Sequence, residues 1–342
     1  MGSHARPDWT PEEISLLKEL CESGLYRFDK LAEKMGRSRH GVMYKCYEQG
    51  FQNRYRYHLY THDKAFFSKV TPETCYWAGC ITTDGCLSYH KGSATLALHV
   101  AVKDKDHAER FRTAIRATNP IFTRNGKCAI STKDPEAIFV HCEFAIHKAE
   151  ECFHHLSQTF NITPNTTLRG NPPNLSTLYH RLCFIRGFID GDGTITISNQ
   201  EGLMSFSICG CNREMISWIK DTIDSMNLPH LTNGARHSLV YQSSGENCYY
   251  YQVRGLRAAI LWEILQRLPL PRLSRKWDNP KLIPHLEFWK NRTDVWPSEI
   301  FFQQYTESAL VKDVTLSPTV TSIPIPSLPP PESVYPVAHS IH

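Results

Sequence analysis

The chain has 342 residues, 41% hydrophobic and 21% charged, with a net charge of +4. That length is enough for two or three domains with a substantial core, and the mildly basic balance permits nucleic-acid binding only if positive charge gathers on one surface. There is no secretory signal, no long apolar run and no Cys-x-x-Cys pair among the twelve cysteines, which argues against a membrane span and predicts an intracellular protein with reduced thiols.

Thr10-Pro11-Glu12-Glu13 forms a capping-box sequence opening an amphipathic helix, with Ile14, Leu16, Leu17 and Leu20 on its apolar side and Gly24 at its end. A second, short helix carries Phe28, Leu31 and Ala32. Met35-Gly36 turns the chain, and Ser38 caps a third helix bearing Arg39, His40, Val42 and Lys45. With Trp9 ahead of it, this pattern resembles Myb-related and phage-type helix-turn-helix modules. The resemblance implies a small all-α DNA-binding domain over residues 1–60, with Arg39, His40 and Lys45 toward the major groove and Arg37, Arg54 and Arg56 on phosphates. A protein-docking module whose charges are merely solvated is the alternative. Residues 53–60, alternating Arg, Tyr and His, suit a basic linker along DNA or an exposed edge.

Thr71-Pro72-Glu73 supplies an N-cap, a proline at the first helical position and an early acid. The helix it predicts ends in Trp77-Ala78-Gly79-Cys80-Ile81-Thr82-Thr83-Asp84-Gly85. Next come strands near 86–91 and 94–103, a helix capped by Asp104 with Phe111 and Ile115 inward, a hairpin turning at Asn125-Gly126, a strand near 137–144 and a helix to about 157. The same order then returns. Ser176 is positioned to cap a helix ending in Ile185-Arg186-Gly187-Phe188-Ile189-Asp190-Gly191-Asp192-Gly193, and Thr194–Ser198 alternates as a strand. Asn212 caps a helix with Trp218, Ile219 and Ile223, Asn233-Gly234 turns, Tyr249–Val253 is a strand and Leu256–Leu268 a last helix. Gly187 matches Gly79, Gly193 matches Gly85, Asn212 matches Asp104 and Asn233-Gly234 matches Asn125-Gly126, each at an offset of 108 residues. Four landmarks in one register predict a tandem duplication with a pseudo-two-fold axis.

Gly79 with Thr83, and Gly187 with Gly191, place small residues one helical turn apart, which lets two backbones approach closely. Asp84 and Asp192 would then be neighbours at two helix ends, where the dipole and mutual repulsion each disfavour them by about a kcal/mol or more. A divalent cation with oxygen ligands, magnesium first, is the simplest offset. Gly85 and Gly193 suit a left-handed position that stops a helix. The alternatives are a plain Asp-Gly helix stop without chemistry, and a zinc site using Cys209, Cys211 and a histidine. An EF-hand loop starting at Asp190 would put Ile195 where the sharp turn requires glycine.

Two such motifs in register, each followed by a strand, resemble the LAGLIDADG homing endonucleases over residues 70–285. The resemblance implies an α+β fold of two pseudo-symmetric αββαββα repeats, at 70–170 and 171–290, forming DNA-binding saddles around the paired motif helices. It also implies that Asp84 and Asp192 hold Mg2+ or Mn2+ beside the scissile phosphates, with a basic residue near each site. Leu273-Ser274-Arg275-Lys276-Trp277 resembles the C-terminal signature, which makes Lys276 the candidate for activating or positioning water. The counterpart stretch, Pro164 to Arg169, offers Thr166 and Thr167 where members show lysine; Arg169 is the electrostatic substitute, although arginine cannot readily act as a base. On the period-two strands, Lys91, Lys103, Arg124, Lys127 and His141 in one sheet and Arg236, His237, Tyr241, Gln242 and Arg254 in the other are expected to line a DNA groove. The function expected is a site-specific double-strand DNA endonuclease, monomeric with an internal pseudo-two-fold and no membrane partner. A non-cleaving DNA-binding regulator or an RNA-splicing maturase on the same scaffold is the rival. Starting at Met1 and ending at Ile341-His342, the chain reads as free-standing or intron-encoded. Residues 305–342, rich in Ser, Thr and Pro with Pro329-Pro330-Pro331, predict a disordered or polyproline tail.

Overall fold

The structure is a computed structural model that describes residues 8–53, 60–90, 93–127, 138–164, 170–197, 203–229, 241–242 and 248–305. Near the N-terminus stand α1 (Pro11–Glu22), α2 (Phe28–Lys34) and α3 (Arg39–Glu48). Thr10 and Glu13 close the capping box, and Ser38 accepts from the Gly41 amide to cap α3. The connections turn at Gly24 and Gly36, whose φ values of +68° and +61° fall in the left-handed region that glycine enters without strain. Leu17, Cys21, Leu31, Ala32, Met35, Val42 and Cys46 fill a small core of their own. Leu16 is not on the apolar side as expected: it is 45% exposed, because α2 and α3 cover only the stripe through Leu17 and Cys21.

The body of the chain repeats one plan. The first unit runs α4 (Pro72–Asp84), β1 (Gly85–His90), β2 (Ser93–Ala101), α5 (Lys105–Ala114), β3 (Ile121–Lys127), β4 (Ile138–His147) and α6 (Glu150–Phe160). The second runs α7 (Leu178–Asp192), β5 (Gly193–Ile197), β6 (Met204–Gly210), α8 (Arg213–Ser225), β7 (Tyr241–Gln242), β8 (Tyr249–Arg254) and α9 (Gly255–Gln266). Both sheets are antiparallel with the same order, β1-β2-β4-β3 and β5-β6-β8-β7. After α9 come α10 (Ser274–Trp277), α11 (Ile283–Lys290) and α12 (Glu299–Gln303).

Alternation along each strand fixes which sheet face is inside. Cys142, Phe144 and Ile146 of β4 are buried, as are Met204, Phe206 and Ile208 of β6, while Glu143, Ala145 and Ser207 between them are more exposed. The helices α4 and α7 are buried on every side over most of their length, and both sit in the single core that unites the two units. Among the described residues no helix is long and apolar enough to cross a membrane.

Three local expectations need correcting. Thr177, not Ser176, caps α7, accepting from the His180 amide. Asn212 caps α8 through its side chain, but Asp104 does not cap α5; its carboxylate is taken by Arg275. Asn125 and Gly126 are not a turn: they lie within β3, opposite Val140 and Phe139. Asn233-Gly234 and residues 306–342 lie outside the described residues.

Candidate active site

Three glycines set how the two motif helices meet. A Cβ on Gly79 would stand 2.1 Å from the Phe184 carbonyl oxygen and 2.8 Å from the Phe188 nitrogen. A Cβ on Gly187 would stand 1.9 Å from the Tyr76 oxygen and 3.0 Å from the Cys80 nitrogen. These two sets of contacts interchange under the 108-residue offset, so the duplication is also a spatial two-fold. One turn on, a Cβ on Gly191 would fall 1.9 Å from Thr83 Oγ1 and 3.3 Å from Asp84 Oδ2, which puts the acid-bearing end of α4 against that of α7. Gly85 and Gly193 are not left-handed stops. Their φ and ψ are −87°, 153° and −86°, 157°, ordinary extended backbone. Glycine is needed there because the chain passes directly from helix to strand, and a Cβ would lie 2.3 Å from the Ile81 oxygen or 2.6 Å from Ile189 Cα.

Asp84 and Asp192 therefore share one half-buried place at two helix C-termini, where neither charge is welcome. Burial, then the charge of Asp192, pushes the Asp84 carboxyl up to about 7, against the pull of Lys276 and Arg275. Burial also raises Asp192, against Lys276. Lys276 is the counterweight. Its Nζ donates to the carbonyls of Ile189, Asp190 and Gly191 at 2.8, 2.6 and 2.8 Å, capping α7 with a positive charge. An ammonium has three donors, and all three meet these carbonyls, which holds Lys276 at the end of α7 beside Asp192. Burial lowers its pKa, with Asp190, Asp84 and Asp192 opposing. Beside it, Gly191, Asp192, Gly193, Thr194, Ile195, Arg275 and Lys276 line an open polar cleft.

Sequence reasoning missed Asp190. It is 1% exposed, yet its carboxylate accepts from Tyr76 Oη (2.6 Å), Trp277 Nε1 (2.5 Å) and the Leu273 amide (3.2 Å). Burial pushes the carboxyl up; the hydrogen bonds from Tyr76 and Trp277 and the charges of Arg186 and Lys276 oppose that. Three donors and no acceptor face it, a set that suits the ionised form. Arg186, also 1% exposed, donates to the carbonyls of Leu265, Leu268 and Leu270 and lies over the Trp277 ring. The signal was available: the same offset sets Thr82 against Asp190 and Ala78 against Arg186, so charge stands in one copy where the other has none.

On the sheet faces turned from the core, the first unit presents Thr95, His99, Phe122, Arg124, His141 and Glu143, with Arg124 ion-paired to Glu143 at 2.6 Å and His99 stacked on His141 at 5.3 Å. Lys103 is exposed just beyond β2. The second presents Thr194, Thr196, Ser207, Gln252 and Arg254, with Gln252 donating to Ser205. Tyr241 and Gln242 form β7, opposite Tyr250 and Tyr249 of β8. Lys127 ends β3 opposite Ile138. Lys91, Arg54, Arg56, Thr166, Thr167, Arg169, Arg236 and His237 lie outside the described residues.

Several cations of the N-terminal helices are ion-paired within the module. Residues 8–53 hold seven Lys and Arg against eight Asp and Glu. Arg37 is held by Glu13 through two hydrogen bonds, 3.1 and 2.6 Å, and stacks on Trp9, a structural post rather than a free phosphate ligand. Arg39 pairs with Asp29, and Lys45 with Glu48 while also facing Trp9. Beside Arg39, which is exposed, α3 also exposes His40, Tyr44 and Tyr47.

No cluster of three or more His, Cys, Asp or Glu able to hold a metal occurs among the described residues; Cys209 donates to the Asp192 carbonyl. Two carboxylates are what the protein offers. That suits magnesium, which is commonly held by one or two carboxylates with substrate phosphates and water completing its shell. Their mutual repulsion is what a dication would relieve.

No protein-family model and no curated protein matches the sequence. Among solved structures, the chain matches the LAGLIDADG meganuclease I-AabMI bound to uncleaved DNA at 12% identity, covering 69% of this chain and 97% of that one, with a TM-score of 0.37. A variant of I-SmaMI matches at 12% identity over 72% of this chain and 100% of the other, with a TM-score of 0.42. The I-LtrWI LAGLIDADG homing endonuclease bound to target DNA matches at 13% identity over 73% and 96%, with a TM-score of 0.37. Each of these three solved structures is a LAGLIDADG endonuclease.

Proposed function

We propose that the protein is a site-specific, magnesium-dependent double-strand DNA endonuclease. The observation that carries this is the meeting of Asp84 and Asp192, one from each repeat, at the ends of two helices packed backbone to backbone. A pseudo-two-fold pair of acids matches the antiparallel symmetry of a duplex, with one acid for each strand. The outward sheet faces supply hydroxyl, amide, imidazole and guanidinium groups, the set that reads base edges and phosphates. Asp84 and Asp192 would hold divalent ions that supply charge stabilisation and an activated nucleophile for in-line displacement at phosphorus. The chain's own part is positional: glycine contacts fix the distance between the acids, and Lys276 offsets the dipole and acid charge at the end of α7. The open cleft beside β5 leaves Asp192 accessible.

Asp192→Asn removes one ligand and little phosphate-contacting charge. Cleavage of a plasmid library in magnesium should be lost while DNA binding stays within several-fold. Normal cutting by this variant would show that the site is wrongly assigned. A non-cleaving DNA-binding protein on the same scaffold is the second reading, favoured by the full use of Lys276 as a cap. It predicts magnesium-independent binding and intact plasmid in every condition.

A further inference from the structure

We infer that Asp190 is a positioning residue for the half-site at Asp192, acting as the anchor for a strap, residues 270–277, that seats Lys276 against the end of α7. This rests on the endonuclease reading only for its effect on cleavage; the anchoring itself is a statement about the chain.

The strap touches both repeats. Arg275 Nε lies 2.9 Å from each carboxylate oxygen of Asp104 in the first unit, and Arg110 donates to the Arg272 carbonyl at 2.9 Å. From the second unit Asp190 takes two of its groups, the Leu273 amide and the Trp277 indole. Those two points bracket Lys276. With its neighbours on both sides tied to one buried carboxylate, the ammonium has little freedom but to fall on the Ile189, Asp190 and Gly191 carbonyls. Trp277 is itself clamped between Phe206 and the Arg186 guanidinium, so its indole N–H is aimed rather than mobile. The third donor, Tyr76, comes from α4, so the same carboxylate also ties the strap to the partner helix.

The device belongs to one half-site. At the equivalent positions the chain has Thr82 for Asp190 and Phe184 for Tyr76, and Thr82 turns its hydroxyl back to the Ala78 carbonyl. Neither can supply or receive the carboxylate's bonds. Loosening Asp190 should therefore disturb the strand served by Asp192 and spare the one served by Asp84.

The test uses the full chain and three variants, Asp190→Asn, Tyr76→Phe and Trp277→Phe, the last two keeping the rings and deleting one donor each. Circular dichroism sets a temperature at which all are folded. Strand-resolved nicking on an end-labelled duplex, with Asp84→Asn and Asp192→Asn identifying which acid serves which strand, is the first readout. Asp190→Asn should slow the Asp192 strand about tenfold or more, leave the other within about twofold, and change kcat rather than the Kd for DNA. Trp277→Phe should act in the same direction more weakly. Equal slowing of both strands, or none, overturns the inference while the endonuclease reading stands. Amide hydrogen exchange is the second readout and needs no cleavage: protection at Leu273 and Lys276 should fall in Asp190→Asn while that of α4 is kept. Unchanged protection overturns the anchoring. Loss of protection in a chain that never cuts DNA upholds the anchoring and overturns the functional reading alone.

Discussion

Gly187→Ala tests the helix pairing on which the site depends. The added methyl would stand 1.9 Å from the Tyr76 carbonyl oxygen, 2.9 Å from its carbon and 3.0 Å from the Cys80 nitrogen. All three are backbone atoms of α4, so no rotamer change relieves the clash. The helices must part by at least about 1 Å to restore ordinary contact, and overpacking a well-packed core costs about 1–3 kcal/mol even where side chains can give. With only backbone in the way we expect about 3 kcal/mol or more, which for a unit of this size lowers Tm by about 6–12 °C. Cleavage should suffer beyond the loss of stability, because parting the helices moves Asp84 away from Asp192, and an ångström of misplacement can cost about a hundredfold in rate. Thermal unfolding and single-turnover cleavage at 20 °C below the variant's Tm separate the two effects. A Gly187→Ala protein with wild-type Tm would refute the close backbone contact and, with it, the placement of the two acids.

His107 is buried 2% exposed against Tyr76, Trp77 and Cys80, and burial, with the nearby Arg110 charge, pushes it down to about 4. Because the unfolded chain binds that proton first, wild type should lose about 3 kcal/mol between pH 6.5 and pH 4 that a His107→Gln variant keeps, measured as the difference between two urea series. Asp84 has the opposite sign: its folded pKa is raised to about 7, so in EDTA its ionisation costs stability as the pH rises from about 4 through 7. Magnesium should raise Tm more at pH 8 than at pH 5.5, and equal shifts would count against carboxylate ligation. Because the cations of residues 8–53 are largely paired within the module and outnumbered by acids, deleting residues 1–53 should change the log-log salt slope of DNA binding by less than about 1. A larger drop would show that Arg37, Arg39 or Lys45 leaves its partner for phosphate.

The repeat was legible because it rests on patterns that sequence carries locally: caps, period-two strands and glycines at a fixed offset. The Asn125-Gly126 turn was misplaced because a turn-forming dipeptide competes with strand pairing, and tertiary pairing with β4 won. The ion pairs of Arg37, Arg39 and Lys45 were not legible for another reason. Counting cations says nothing about their partners, and Glu13, which holds Arg37, lies 24 residues away in sequence. Lys276 could be singled out from its local sequence, but its partners are three carbonyls brought to it by α7, which no local pattern reveals. Asp190 needed only a comparison of the two copies residue by residue.

Thr83 and Gly191 occupy equivalent positions in the two repeats and face each other across the pseudo-two-fold, where a Cβ on Gly191 would already strike Thr83 Oγ1 at 1.9 Å. Two copies of the first repeat would set threonine against threonine in that space, and two copies of the second would set glycine against glycine and leave a side-chain-sized gap. The halves are thus keyed to each other and no longer to themselves. Separately produced fragments, mixed, should assemble as an unlike pair in preference to either like pair, and exchanging the two residues, Thr83→Gly with Gly191→Thr, should preserve that preference while each single change weakens it.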